Sequence, residues 1–246
     1  MEAPERVAAP AATLATPLRV LLQAWTWPTL VGVTALAFPA ACLASLLLGP
    51  ERAFGHGLHL WARAVLLLGA CTVELHGDVR GARGAVVAAN HQGFGDVVVL
   101  AAVLPPPLRF TARSGLFRVP LLGTVLRAGG HLRVVRGGAG ARALVDAAAR
   151  EARAGRTVVF FPEGTRAPDG RVEPLHGGAF VAAARAGRPV VPLVLAGSRS
   201  LWEPGTLRLL PSRIAVALLP PRLARGRAAR EALRDEMART LRHLGS

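Results

Sequence analysis

From Val20 to Pro50 the chain carries no charged residue. Within that run the stretch from Trp27 to Leu48 is apolar enough and, at about 1.5 Å of rise per helical residue, long enough to cross a hydrocarbon layer about 30 Å thick. A segment of this kind must be covered by lipid or by the rest of the protein, so the chain is expected to begin with a membrane-associated helical segment. Pro28 and Pro39 each remove a backbone donor from it, which leaves a tilted, broken or re-entrant helix open. A second apolar stretch, Ala64 to Val73, follows the amphipathic run Leu58-His59-Leu60-Trp61-Ala62 and its closing Arg63. Trp25, Trp27 and Trp61 suit a headgroup interface.

Two rival readings of this front end are plainer. One is a pair of core helices in a water-soluble domain. The other is a cleaved leader, since Ala40-Ala41-Cys42 is similar to a lipoprotein cleavage site; yet the leader carries Glu2 and Glu5, and Pro39 stands where an aliphatic residue is expected. Arg6 and Arg19 before the run face Arg52 and Arg63 after it, so loop charge does not fix an orientation.

The 246 residues include 30 Lys+Arg against 15 Asp+Glu, a net charge of +15, with 52% hydrophobic residues. This is enough chain for one good core plus a small appendage. With a mean hydropathy of +0.38 it is neither disordered nor an ordinary soluble basic protein. The sequence has no Lys, a single Ile (Ile214) and a single Asn (Asn90), a pattern of GC-rich coding that makes the choice of Arg over Lys uninformative at most positions. The charge itself requires a polyanion: nucleic acid, an anionic membrane or a phosphorylated substrate. The arginines of Arg222 to Arg230 have no interleaved aromatics and no recognisable module around them, so no nucleic-acid partner is expected. Cys42 and Cys71 are too few for a disulfide framework or a four-cysteine zinc site, and His56, His59 and His76 have no ligand spacing, so no metal is expected. Gly137 to Gly140 reads as a loop into the next helix rather than a phosphate cradle.

After Val73 short β-type runs alternate with helical ones. The pattern predicts an α/β fold, a mixed and largely parallel sheet flanked by helices. Candidate strands are Val73–Leu75, Ala85–Ala89, Leu108–Ala112, Leu132–Val135, Thr157–Phe161, Val190–Leu195 and Ile214–Leu218. Helices are expected over Ala141 to Ala154, stopped by Gly155, and over Arg227 to Leu244. The chain is thus divided into 1–72, a tail and membrane-associated helices, and 73–246, the α/β domain with its C-terminal helix.

Two loops carry candidate chemistry. Asn90-His91-Gln92-Gly93-Phe94-Gly95-Asp96 follows a strand and opens an apolar helical run, placing a histidine and a carboxylate where Asp96 can reach back to the imidazole. Such a pair suits a general base and its orienting group, although a helix-capping Asp beside a hydrogen-bonded His is the commoner arrangement. Phe160-Phe161-Pro162-Glu163-Gly164-Thr165-Arg166 turns from buried strand to a loop with a carboxylate, a hydroxyl and a guanidinium that can fork onto phosphate. The plainer reading is a surface turn closed by a Glu-Arg pair. Both loops follow strands, and open α/β sheets bind ligands beyond the carboxyl ends of their strands.

Taken together these blocks resemble the PlsC-type 1-acylglycerol-3-phosphate acyltransferases of the glycerolipid acyltransferase superfamily. Asn90 to Asp96 is similar to the NHxxxxD motif and Phe161 to Arg166 matches FPEGTR in full. Gly130 to Arg136 fits a second motif ending in arginine, and Val190-Val191-Pro192-Leu193 a fourth. The likeness runs from about Leu60 to Pro221. Val135, Arg133, the run Leu175 to Phe180, Gly93 and Gly95 depart from the usual pattern.

The resemblance implies an O-acyltransferase that moves a fatty acyl group from a thioester to the free hydroxyl of a lysophospholipid, most simply lysophosphatidate to phosphatidate. It makes His91 the base and Asp96 its orienting group, and Arg136, Glu163, Gly164, Thr165 and Arg166 the acceptor-binding wall. It implies no bound cofactor, acyl-CoA or acyl carrier protein as co-substrate, and a bilayer as partner. It places the catalytic domain on the cytoplasmic face of the inner membrane, where such thioesters are available. The same chemistry on another lysolipid, such as lyso-ornithine lipid, stays open, as does a noncatalytic basic protein of membrane surfaces or nucleic acid.

Overall fold

The computed structural model describes residues 16–165, 171–202, 210–223 and 226–245. Helix α1 (Thr16–Leu48) runs unbroken through Pro28 and Pro39 and turns at Gly49, whose φ of 77° suits a residue without Cβ, into α2 (Pro50–Leu68). The two helices pack side by side as a hairpin: Trp61 Nε1 donates to Thr34 Oγ1 at 3.0 Å and Trp25 Nε1 to the Leu68 carbonyl at 3.2 Å. Trp25–Leu48 forms 24 residues of helix with a mean hydropathy of 2.1, long and apolar enough to cross a membrane. A core helix of a soluble domain would be mostly covered, whereas the most apolar window of this one is 11% buried. Leu36, Leu43, Leu46 and Leu47 all point outward.

The apolar stretch from Ala64 to Val73, continuous in sequence, is divided in the structure. Gly69 and Ala70 close α2, with Gly69 N–H bonded to Val65 O and Cys71 N–H to Leu66 O, and the chain re-enters as strand β1 (Thr72–His76). The remaining elements are β2 (Val86–Ala89), α3 (Gly95–Val103), β3 (Leu108–Arg113), α4 (Leu122–Ala128), β4 (Leu132–Val134), α5 (Gly138–Arg153), β5 (Thr157–Phe160), α6 (Gly178–Ala186), β6 (Val190–Ala196), the single turn α7 (Ser198–Leu201), β7 (Arg213–Leu218) and α8 (Gly226–Leu244).

The strands form one sheet in the order β1-β7-β6-β2-β5-β3-β4. From β6 to β4 every neighbour is parallel; β7 is antiparallel to β6 and parallel to β1. The mixed, largely parallel sheet read from the sequence is thus the one observed. Because β2, β5 and β6 are buried on both faces, they read as continuous Val/Leu/Ala runs rather than as alternating ones. Val87, Ala89, Val159 and Leu193 face α1, α2 and α3, while Val86, Ala88, Val158 and Val194 face α5, α6 and α8. Each central strand therefore joins two apolar layers, and the loops at its carboxyl end are held on a rigid base.

An ion network around the buried Arg109 ties the hairpin to the β5–β3 side of the sheet. Arg109, at the start of β3, is 1% exposed; its Nε donates to Glu151 at 2.7 Å, Nη1 to the Gly129 carbonyl at 2.8 Å and Nη2 to Glu51 at the first turn of α2. Arg156 also bonds Glu151 and holds its carboxyl below the usual range despite the opposing effect of burial.

Candidate active site

The site begins with a side chain that imitates a strand. Asn90, the residue after β2, donates Nδ2–H to Leu195 O at 3.0 Å and accepts Leu195 N–H at 2.7 Å, extending the β2–β6 ladder by one step. The chain then turns, and His91 projects beyond the sheet. Its Nδ1 lies 2.7 Å from Asp96 Oδ2. A carboxylate oxygen can only accept, so Nδ1 carries the proton and Nε2 is left with its lone pair. The His91 side chain is 18% exposed and Asp96 fully buried, which gives the imidazole one open edge over a closed floor.

Asp96 combines the two roles open in the sequence. Besides the imidazole, its Oδ2 accepts the backbone N–H of Gln92 at 2.6 Å and of Gly93 at 2.9 Å, so it caps the turn while orienting the base. Its other oxygen accepts the hydroxyl of Ser198, which also stands 3.1 Å from Gln92 Oε1. Sequence reasoning missed Ser198; the one available signal was the Gly-Ser pair directly after a buried strand. Its approach also explains Gly95, a departure from the motif pattern, because a Cβ there would lie 2.4 Å from the Ser198 carbonyl oxygen.

The second loop stands beside the first. Phe161 stacks on the His91 ring at 4.1 Å between centroids and 23° between planes. Glu163, 4% exposed, has its carboxylate turned inward onto backbone rather than outward toward an acceptor. Oε1 accepts His91 N–H at 2.7 Å and Oε2 accepts Glu173 N–H at 3.0 Å. Burial pushes its pKa up to about 7, with the charges of Glu173 and Asp96 adding to the rise and the two backbone bonds opposing it. Gly164, at φ 71°, packs its open α-carbon near the ring of His176. Gly164 and Thr165 are exposed at the rim, and Arg166 lies outside the described residues.

The structure thus brings His91, Asp96 and Glu163 together and leaves Arg136 apart. Arg136 is exposed two residues beyond β4, at the same edge of the sheet but three strands from β2, roughly 14 Å at the usual strand spacing. Arg113, which ends β3 and is also exposed, stands one strand nearer. His131 is structural: its Nδ1 accepts Phe110 N–H at 3.1 Å, and burial and then the Arg109 charge lower its pKa to about 4. Among the described residues no group of three or more His, Cys, Asp or Glu side chains could hold a metal ion. On the hairpin side, Phe94 meets Trp202 edge-on at 4.9 Å between centroids and Trp202 meets Trp27 of α1 at 5.8 Å.

An oriented imidazole at the carboxyl edge of a mostly parallel sheet, with one nitrogen free and one edge open, defines an α/β domain equipped to take a proton from a ligand. A sequence profile of the Acyltransferase family matches residues 72–196, a span containing both motif loops. The chain belongs to that family. It is 36% identical over 128 residues to a chloroplastic 1-acyl-sn-glycerol-3-phosphate acyltransferase of Brassica napus, covering 51% of this chain and 36% of that one. It is 29% identical over 167 residues to a 1-acyl-sn-glycerol-3-phosphate acyltransferase of Salmonella typhimurium, covering 66% and 67%. The chain spans between 35% and 59% of the length of the first four curated relatives it matches. The crystal structure of PlsC, the 1-acyl-sn-glycerophosphate acyltransferase of Thermotoga maritima, shares the fold at a TM-score of 0.77 and 20% identity, covering 93% of this chain and 98% of that one.

Proposed function

We propose that this chain is a membrane-associated O-acyltransferase that acylates the free hydroxyl of a lysophospholipid, with lysophosphatidate as acceptor and phosphatidate as product. The observation that carries the reading is the 2.7 Å bond from His91 Nδ1 to a fully buried Asp96, which leaves Nε2 free to accept a proton. The named relatives acting on acylglycerol phosphate support the choice of acceptor.

In this reading Nε2 takes the proton of the acceptor hydroxyl as its oxygen attacks the thioester carbonyl. Asp96 stabilises the imidazolium that forms, the C–O bond closes, the C–S bond breaks, and the imidazolium returns the proton to the departing thiolate. No acyl-enzyme is needed. Glu163 fixes the backbone of the base rather than the substrate. Arg113 and Arg136 offer guanidinium groups to the headgroup phosphate, Arg113 from the nearer strand, Thr165 adds a hydroxyl at the rim, and Arg166 is assigned to the same acceptor by its motif alone. The α1–α2 hairpin inserts in the cytoplasmic leaflet of the inner membrane. Acyl-CoA or acyl carrier protein supplies the acyl group.

The test is transfer of labelled acyl groups by the purified protein in mixed micelles, with lysophosphatidate and lyso-ornithine lipid offered in parallel and both donor types supplied. Activity on lysophosphatidate that is lost in His91→Ala is the expected result. Full activity in His91→Ala would refute the mechanism, and activity on the other lysolipid alone would refute the acceptor.

A further inference from the structure

Between Asp96 and Asp146 the sequence contains seven arginines and no acidic residue. In the middle of that segment, beyond the carboxyl end of β3, residues 114–121 form a turn from which Leu116, Val119 and Leu121 face away from the core while Phe117 faces into it. Leu116 is 42% exposed, Val119 45% and Leu121 64%. Leu121 has φ 60° and ψ −58°, a conformation that residues with a Cβ rarely adopt, and Leu122 N–H bonds to Pro120 O at 2.7 Å across it. This is a γ-turn of the strained kind.

The surrounding structure holds that strain in place. Phe117 is buried, Arg133 lies over its ring at 4.9 Å, and Arg127 Nη1 donates to its carbonyl. Gly123 passes so close that a Cβ there would meet the Phe117 carbonyl oxygen at 2.3 Å. A leucine held rigidly outward at a strained tip contributes nothing to the protein's own core. Arg118 and Arg133 are exposed beside it. The helix that leaves the turn, α4, packs against α2, so one short helix links the turn to the apolar hairpin.

We propose that the Leu116–Leu121 turn is a second membrane contact. Its Leu116, Val119 and Leu121 side chains enter the acyl region of an anionic leaflet, and Arg118 and Arg133 meet the headgroup phosphates. The proposal rests on the reading of the hairpin as membrane-inserted and adds a second point of attachment. One helical hairpin leaves a domain free to tilt about it, whereas two separate contacts fix the carboxyl edge of the sheet, and with it His91, against the surface from which the acceptor enters.

The test uses the full chain in phosphatidylcholine vesicles containing phosphatidylglycerol and lipid-bound nitroxide. An environment-sensitive fluorophore is attached to a single cysteine in a Cys42→Ala, Cys71→Ala background, at Leu121→Cys, at Leu43→Cys on α1 or at Glu231→Cys on α8. Quenching at positions 121 and 43 but not at 231 supports the proposal. Quenching at 43 alone overturns it while leaving the hairpin reading intact. Quenching at neither overturns both. As a second measurement, Leu121→Gly suits the positive φ and so should not lower the melting temperature, yet it should raise KM for acceptor presented in vesicles about tenfold, the factor for partial burial of one leucine. An unchanged KM on vesicles, or an equal rise with a monodisperse short-chain acceptor, would refute the role assigned to Leu121.

Discussion

Replacing Asp96 with Asn separates the charge of this carboxylate from its geometry. Oδ2 accepts three hydrogen bonds, from His91 Nδ1 and from the N–H groups of Gln92 and Gly93, and two of those donors belong to the backbone and cannot reverse. The amide oxygen of Asn must therefore take the Oδ2 position, which places its NH2 toward Ser198 Oγ. The serine can accept that hydrogen bond and turn its own proton to Gln92 Oε1, already 3.1 Å away. His91 keeps its proton on Nδ1, and the variant loses only the negative charge that faces the imidazolium. Two unit charges about 4 Å apart at an effective dielectric constant near 20 interact by about 4 kcal/mol, and 1.36 kcal/mol is tenfold in rate. Asp96→Asn should therefore lower kcat about 10^3-fold with little change in acceptor KM and a melting temperature within a few degrees of the parent. Asp96→Ala leaves two buried backbone N–H groups and the Ser198 hydroxyl without this acceptor, at about 1–3 kcal/mol each, and should melt many degrees lower. Steady-state transfer assays and thermal melts of both variants in one detergent make the comparison. An Asn variant within tenfold of parental kcat would refute the electrostatic role, and one that melts as low as the Ala variant would refute the hydrogen-bond scheme.

Glu163→Gln should change the pH dependence of stability. The folded pKa of about 7 exceeds the ordinary 4.5, so the folded state holds this proton more tightly than the unfolded state; its contribution, about 3 kcal/mol, is full below pH 4.5 and is lost as pH rises to about 7, and melting curves of the Gln variant over that window should lack this decline. Gly95→Ala sets a methyl against the Ser198 backbone and should cost about 1–3 kcal/mol in chemical denaturation, with a fall in kcat as Ser198 leaves Asp96. Arg109→Met leaves Glu51 and Glu151 paired with Arg156 alone and takes the donor from the Gly129 carbonyl, and should cost about 1–3 kcal/mol in thermal melts, whereas Glu51→Gln, at a half-exposed position and with Glu151 still bonded to Arg109, should cost about 1 kcal/mol or less.

All seven strands stand where the short β-type runs predicted them, and the helices expected over Ala141–Ala154 and Arg227–Leu244 are α5 and α8 within a few residues. Strand order was not legible, because strands buried on both faces are apolar at every position and carry no mark of their neighbours. For the same reason Ala64 to Val73 read as one stretch, when its first half is helix and its end is strand. At the site, the reach of Asp96 back to His91 was legible from their spacing, but the direction of Glu163 was not. A carboxylate in a Pro/Gly loop looks alike in sequence whether it faces a ligand or a neighbouring backbone, and only the adjacency of β2 and β5 turns it onto His91 N–H. Ser198 carries no charge and no periodic signal, so its contact with Asp96 becomes visible only once β6 is placed beside β2.

Strand register explains why loops so far apart in the chain act as one site. Ala88 of β2 is paired with Phe160 of β5 and with Pro192 of β6. Counting three residues onward from the first pair reaches His91 on one strand's loop and Glu163 on the next, so the carboxylate that braces the base is its lateral neighbour in register. Asn90 performs the same task on the other side, where its amide continues the ladder to Leu195 and delays the turn until β6 has reached Gly197 and Ser198. Side chains alternate faces with a period of two, so slipping either strand by one residue would exchange every core position and also move Glu163 away from His91 N–H. The core and the site are therefore specified by the same register. The apolar runs of β2, β5 and β6 thus set the geometry of the site through the level at which each strand releases its loop.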